Sequence, residues 1–136
     1  MNKTVGTMTV LLLLIVVGCA STAPVLNIKD ASVPTNHTPE AVRQAIVAAG
    51  AERGWLIRDN GAGHLRGTLH VRTHDAEVDI TYSSAAYSIT YVSSTNLNYD
   101  GGKIHGNYNR WIANLNQTRH RQQTRRALVS LAAVHR

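Results

Sequence analysis

Residues 55–92 read WLIRDNGAGHLRGTLHVRTHDAEVDITYSSAAYSITYV, and apolar and polar side chains alternate through most of this stretch. A period of two is typical of strands that bury one face of a sheet. The pattern predicts four strands, at residues 55–58, 64–72, 76–82 and 87–92. Because only short polar segments separate them, we expect an antiparallel meander.

The register of this meander follows from its apolar face, since a slip by one residue would turn a whole apolar set to solvent. Turns are expected at residues 60–62, 74–75 and 84–85. The first turn would place Trp55 opposite Gly67, and the last would pair Tyr82 with Tyr87. The middle turn would align opposite charges on the solvent face, in the pairs Arg72–Glu77 and His70–Asp79.

One helix is predicted before the meander in the chain, and one after it. Thr38 can cap the first, at residues 39–53, and Pro39 suits its first position. Its apolar residues recur at helical spacing: Ala41, Val42, Ala45, Ile46 and Ala49. The second should begin near Gly106 or Asn107, before another such stripe: Tyr108, Trp111, Ile112 and Leu115. The predicted fold is α+β with two layers, a four-stranded antiparallel meander flanked by an N-terminal and a C-terminal helix packed on one face.

The N-terminus has the organisation of a secretion signal at residues 1–18. Lys3 gives a positive start, and residues 10–17 are an uninterrupted apolar run. This run is far shorter than the roughly 20 residues that span a bilayer as a helix. Cys19 follows and is the only cysteine, so no disulfide can form within the chain.

The segment Val16-Val17-Gly18-Cys19 resembles the lipobox of bacterial lipoproteins, although Val17 stands where Ala or a small polar residue is common. The resemblance implies cleavage before Cys19, a diacylglycerol thioether on its sulfur and acylation of the new amino group, for example with palmitate. Such chains would anchor the protein without a transmembrane helix, since each buried methylene contributes about 0.8 kcal/mol. Ala20 resembles the sorting residue of outer-membrane cargo, which implies the inner leaflet of the outer membrane, facing the periplasm.

The chain should continue as a tether, a domain and an arm. Residues 19–37 are rich in Ala, Ser, Thr and Pro without a sustained period, which predicts a flexible tether after the lipidated cysteine. The alternative is an edge strand at residues 25–28. The α-β-β-β-β-α domain would cover residues 38–116. Its segment 96–111 resembles the C-terminal half of small proteobacterial envelope lipoproteins, a resemblance that implies no activity.

The formal net charge of the 136 residues is +6, but acidic and basic residues balance between Cys19 and Asn116. The excess of the mature chain therefore lies in a basic C-terminal arm at residues 117–136. Either this arm is simply solvated, or it contacts an anionic surface. The candidate contact residues are Arg119, Arg121, Arg125 and Arg126.

Two segments concentrate residues that bind ligands or partners. Histidines and aspartates cluster near the second hairpin, but His64 would lie about 20 Å from His70, whereas a metal needs converging ligands. No serine lies in a nucleophile-elbow context. We therefore predict no metal, no cofactor and no enzymatic activity. Residues 96–111 have the composition of a recognition surface, with these candidates: Asn98, Tyr99, Asp100, His105, Asn107 and Arg110. The alternative is that the aromatic residues of this segment only close the core.

Together these patterns predict a membrane-anchored envelope lipoprotein whose domain is a non-enzymatic binding or assembly module. The alternative is a small hydrolase or metal-binding periplasmic protein that uses the His-rich hairpin. The expected partners are the membrane, through the lipid on Cys19, and an envelope protein, anionic lipid or lipopolysaccharide. Nucleic acid is not expected as a partner of a secreted protein.

Overall fold

The computed structural model describes residues 21–34 and 36–134. In chain order the elements are β1 (Thr22–Pro24), β2 (Ile28–Ser32), α1 (Pro39–Glu52), β3 (Leu56–Asp59), β4 (His64–Val71), β5 (His74–Tyr82), β6 (Ala86–Thr95), β7 (Lys103–His105) and α2 (Gly106–Val134). The architecture is α+β, as predicted. The predicted signal peptide and Cys19 lie outside the described residues.

The main sheet has five strands in the order β2-β6-β5-β4-β3, and every neighbouring pair is antiparallel. Strands β3 to β6 form an antiparallel meander, although the predicted four-stranded sheet is not exact. The sheet has one strand more than predicted because β2 pairs with β6. The pairing of β2 is irregular between Ile28 and Ala31, where Asp30 has a φ of 46°. This bulge explains why β2 shows no alternating pattern in the sequence.

A second sheet of two strands joins β1 to β7, with Thr22 opposite His105. The pairing continues at Val25, whose N–H donates to the Gly102 carbonyl at 2.9 Å. The prediction of a flexible tether over residues 19–37 is therefore wrong for β1 and β2. Both strands pair with segments far along the chain, so no local pattern indicates them.

The predicted register is correct in one hairpin and shifted in the other two. Tyr82 pairs with Tyr87 as predicted. Gly67 lies opposite Ile57 instead of Trp55, and the turn between β4 and β5 comes two residues earlier than predicted. The predicted charge pairs are therefore wrong, and the observed ones are Arg66–Glu77, Arg66–Asp79 and His70–Asp75. Each shift is by an even number of residues, which keeps the same side chains buried, so the apolar pattern cannot distinguish these registers.

Both helices cover the same face of the sheet, as predicted. Thr38 caps α1, since its Oγ1 accepts a hydrogen bond from the Ala41 N–H at 3.1 Å. The fully buried core side chains come from both helices and from the inward face of the strands: Val42, Leu65, Val78, Ile80, Tyr108 and Ile112. The opposite face of the sheet is polar and open to solvent.

Helix α2 begins at Gly106, as predicted, but continues for 29 residues to Val134. The prediction of a separate basic arm from residue 117 is therefore wrong, because Thr118 and Gln123 are buried against the domain. From Thr124 onward every described residue of α2 is exposed. Within the described residues, no helix is both long enough and apolar enough to cross a membrane.

Two glycines allow α1 to approach the sheet closely. A Cβ on Gly50 of α1 would overlap the Ile57 side chain, whose Cδ1 would lie 3.0 Å away. A Cβ on Gly67 of β4 would lie 2.9 Å from Val78 Cγ2 and 3.1 Å from Ile57 Cδ1. The Ile57 side chain therefore occupies a space that exists because both positions lack a Cβ.

Gly50→Ala should lower the free energy of unfolding by about 1–3 kcal/mol, the usual cost of overpacking. Inside a helix Ala is otherwise favoured over Gly by about 1 kcal/mol, so a loss would report the contact with Ile57. Gly106→Ala is the control, because nothing lies within 4 Å of its Cβ position. Urea unfolding followed by circular dichroism measures both variants, and an unchanged or more stable Gly50→Ala would contradict the close approach.

Candidate functional site

The six candidate recognition residues lie on one surface, formed by the loop after β6, by β7 and by the first turns of α2. We call it the β7 surface: Asn98, Tyr99, Asp100, His105, Asn107 and Arg110. Leu97 is buried and anchors the loop, and its carbonyl accepts from the His105 N–H at 2.8 Å. Asp100 and Lys103 exchange both backbone hydrogen bonds. The structure therefore brings the predicted residues together.

Aromatic rings connect the β7 surface to the core. Tyr99 is 48% exposed and stacks on Tyr91, with 4.4 Å between ring centroids. Tyr91 meets the buried Tyr108 edge-on at 5.5 Å. Burial raises the pKa of Tyr108, so this phenol stays neutral. Tyr108 therefore closes the core, as the alternative for this segment has it. Tyr99 instead presents its ring at the surface.

His105 has a structural role in α2. Its Nδ1 accepts a hydrogen bond from the Asn107 N–H at 3.1 Å, which satisfies one of the free amides at the helix start. The first turn of α2 contains no acidic residue that could supply this acceptor. His105 and Asn107 are half-buried, and the exposed members of the β7 surface are the other four: Asn98, Tyr99, Asp100 and Arg110.

Asn109, which the sequence did not single out, holds the N-terminal strands against α2. Its Oδ1 accepts from the Leu26 N–H at 2.8 Å, and its Nδ2 donates to the Pro24 carbonyl at 2.8 Å. The side-chain amide thus satisfies one backbone acceptor and one backbone donor at the end of β1 and just after it. No sequence signal could have identified it, because its partners lie more than eighty positions earlier.

Arg119, predicted to contact an anionic surface, is 1% exposed. Its guanidinium lies over the Tyr87 ring, 3.9 Å from the centroid. None of its three nitrogens has a hydrogen-bond partner among the described residues. Burial lowers the pKa of Arg119, and the neighbouring Tyr87 opposes this shift. The predicted surface role is wrong because α2 continues past Asn116 and turns this side chain inward.

Other polar side chains surround Arg119 between α2 and the sheet. The Tyr87 hydroxyl donates to Asn116 Oδ1, and its oxygen lies 3.2 Å from His120 Nε2. Burial, together with the Arg119 charge, lowers the pKa of His120 and favours the neutral imidazole. Gln123 is buried, and its amide has no partner among the described residues. Arg119 and Gln123 continue the phase of the apolar stripe of α2, and this signal could have placed them inside: Tyr108, Ile112 and Leu115.

The remaining arginines of the predicted arm have different surroundings. Arg121 pairs with Glu52 of α1 at 3.0 Å but stays largely exposed. Arg126 Nη1 donates to Gln44 Oε1 of α1 at 2.9 Å. Arg125 is exposed and forms no hydrogen bond or ion pair with the described residues. Arg121 and Arg125 are therefore accessible cations, whereas Arg126 connects the two helices.

The His-rich hairpin does not bring its side chains to one point. His70 Nδ1 lies 2.6 Å from Asp75 Oδ1, and His74 Nδ1 contacts a backbone carbonyl at 2.7 Å. Asp79 pairs with Arg66 at 2.9 Å. Throughout residues 21–34 and 36–134, no group of three His, Cys, Asp or Glu side chains is placed to hold a metal.

An open groove of about 540 Å³ lies beside this hairpin on the polar face of the sheet. Glu77 lines it and is held ionised, because hydrogen bonds from Arg66 and Ser93 lower its pKa. The Ser93 hydroxyl donates to Glu77 at 3.1 Å, so it is not paired with a histidine base. The groove offers hydrogen-bonding groups, and its Ser93 hydroxyl is engaged by the Glu77 carboxylate.

Asn109→Ala should lower the free energy of unfolding by about 2 kcal/mol, because it removes the side-chain partner of the Pro24 carbonyl and of the Leu26 N–H. Hydrogen exchange at residues 22–26 should become faster. Asn107→Ala is the matched control, since the Asn107 side chain makes no hydrogen bond to the described residues. Equal exchange in the two variants would show that Asn109 does not hold these strands.

Arg119→Met should raise the free energy of unfolding by about 1–3 kcal/mol. Desolvating a buried charge costs several kcal/mol, whereas the cation–π contact with Tyr87 returns about 2 kcal/mol. Arg125→Met is the control and should change stability by less than about 0.5 kcal/mol, because Arg125 is exposed. Thermal and urea unfolding measure both variants, and a destabilised Arg119→Met would mean that the Arg119 charge is compensated in solution.

The described residues thus offer two places for binding, the β7 surface and the polar groove. Both present hydrogen-bonding groups on rigid elements, and the β7 surface adds an exposed ring and a cation. The chain matches no protein-family model, no curated protein and no solved structure.

Proposed function

We propose that this chain is a bacterial envelope lipoprotein, anchored through lipid on Cys19, whose domain is a non-enzymatic binding or assembly module at the membrane surface. The observation that carries the proposal is the short distance from Cys19 to the fold. Strand β1 begins at Thr22, only three residues after the lipobox cysteine. Three residues span at most about 10 Å. The domain would therefore rest on the lipid headgroups.

The pairing of β1 supports one orientation of the domain on the proposed membrane. Because Thr22 lies opposite His105, the lipid would be attached beside the β7 surface. Tyr99 suits the headgroup region, where one part of a tyrosine is dry and its hydroxyl is wet. Arg110 and Lys103 would attract anionic headgroups. The β7 surface would thus meet its partner, another envelope component, at the level of the membrane surface.

The proposed location is the inner leaflet of the outer membrane, facing the periplasm. It is supported by Ala20, which resembles the sorting residue of outer-membrane lipoproteins. The domain contributes the rigid attachment, since β1 is held both by β7 and by the amide of Asn109. A partner bound at the β7 surface would therefore be held at a defined height above the bilayer.

Cys19→Ser should abolish incorporation of labelled palmitate and leave the precursor uncleaved, because the sulfur is the site of lipid attachment. Ala20→Asp is the matched control: it retains the thiol, so labelling should persist while the protein moves to the inner membrane. Metabolic labelling and membrane fractionation measure both effects. Normal processing and unchanged membrane attachment of Cys19→Ser would refute the proposal.

A further inference from the structure

The last turns of α2 are exposed, although Arg126 still reaches Gln44 of α1. All residues from Thr124 to Val134 are exposed, and the segment includes large apolar side chains with exposed fractions of 62%, 70% and 79%: Leu128, Val129 and Val134. A helical segment of this length gains little stability from its own hydrogen bonds. A helix that is apolar on most sides is stable when something covers it.

The charge of α2 favours an anionic surface. The helix contains five arginines and no aspartate or glutamate. Arg110, Arg121 and Leu128 are separated by three and by two helical turns, so they lie along the outer face, opposite the buried stripe. Arg125 lies beside this line. The outer face is therefore a basic stripe that leads into the exposed apolar segment.

The start of α2 lies beside Thr22, which follows the predicted lipid attachment site by three residues. Strand β7 ends at His105, opposite Thr22, and α2 follows without a break. At 29 residues the helix is about 43 Å long. A membrane anchored at Cys19 would therefore lie next to one end of α2, and the apolar segment forms the other end.

We infer that the outer face of α2 lies along an anionic phospholipid bilayer, with α2 in the membrane plane. Arg110, Arg121 and Arg125 contact the headgroups. Leu128, which lies on this outer face, enters the boundary between headgroups and acyl chains, where amphipathic helices bury their apolar side chains about 5–10 Å deep. The inference rests on the proposed function, because it takes the membrane at Cys19 as the surface.

A second copy of the chain would cover the apolar segment less favourably than an anionic bilayer. Two α2 helices in contact would bring arginines together with no acidic residue of either helix to balance them. The only acidic side chain that pairs with α2 within the described residues is Glu52, which is already bound to Arg121. Anionic headgroups supply the missing negative charge along the whole helix.

The test places a tryptophan in the apolar segment of the mature protein as the cell exports it. Leu128→Trp should be quenched by brominated phosphatidylglycerol, with a blue-shifted emission. Leu56→Trp is the matched control, because Leu56 is 52% exposed on the polar face of the sheet, away from the helices. It should not be quenched. The parent protein gives the background of Trp55 and Trp111.

The arginines are tested in the Leu128→Trp protein. Arg121→Gln with Arg125→Gln should weaken docking about fivefold for each arginine removed. Docking should also weaken at high salt, and when brominated phosphatidylcholine replaces brominated phosphatidylglycerol in the vesicles. Arg58→Gln is the control for each single replacement, since it removes one positive charge from an exposed residue of β3. Circular dichroism verifies that each variant is folded.

The outcomes separate this inference from the proposed function. A palmitate-labelled, membrane-bound protein in which Leu128→Trp is quenched no more than Leu56→Trp would overturn the inference and leave the lipoprotein intact. Concentration-dependent cross-linking between two Leu128→Cys chains, without quenching in Leu128→Trp, would overturn it in favour of self-association. Selective quenching of Leu128→Trp in a protein that carries no palmitate would support docking and remove the lipid anchor.

Discussion

Val78 and Ile80 lie in the middle of β5 and are fully buried. They belong to the one apolar face of the sheet, and covering this face determines where both helices lie. Helix α1 reaches it closely because Gly50 and Gly67 leave room for Ile57. Helix α2 completes the cover with the stripe that begins at Tyr108. The opposite face is polar, and no described element packs on it.

The N-terminal strands fix how the start of the described chain is attached to the domain. A long tether would let the domain rotate and reach outward, so that no face would be defined. Pairing of Thr22 with His105 instead attaches the start of the described chain to the side of the fold that carries Tyr99 and Arg110. Asn109 closes this attachment through two backbone groups. If Cys19 is lipidated, the same contacts that build the small sheet also orient the domain.

The two faces of helix α2 lie in different environments. Its inner face begins as apolar core and continues in the same phase into Arg119, which is covered by the Tyr87 ring and has no carboxylate partner among the described residues. Its outer face keeps accessible arginines and ends in the exposed apolar segment. The net charge of the sequence does not distinguish the five arginines of α2 from one another. Their positions around the helix separate a buried cation from cations that can meet a surface.

Local periodicity and capping in the sequence predict the α+β class, the Thr38 cap and the start of α2, and they predict four successive strands whose exact bounds and registers differ in the structure. The sequence also placed the candidate recognition residues in one segment, and the structure keeps them together because β7 leads directly into α2. Tertiary structure alone decided the pairing of β1 and β2, the registers on either side of β4 and the inward position of Arg119. Pairing between distant segments leaves no local pattern, an even shift in register buries the same residues, and a helix continues where packing stabilises it.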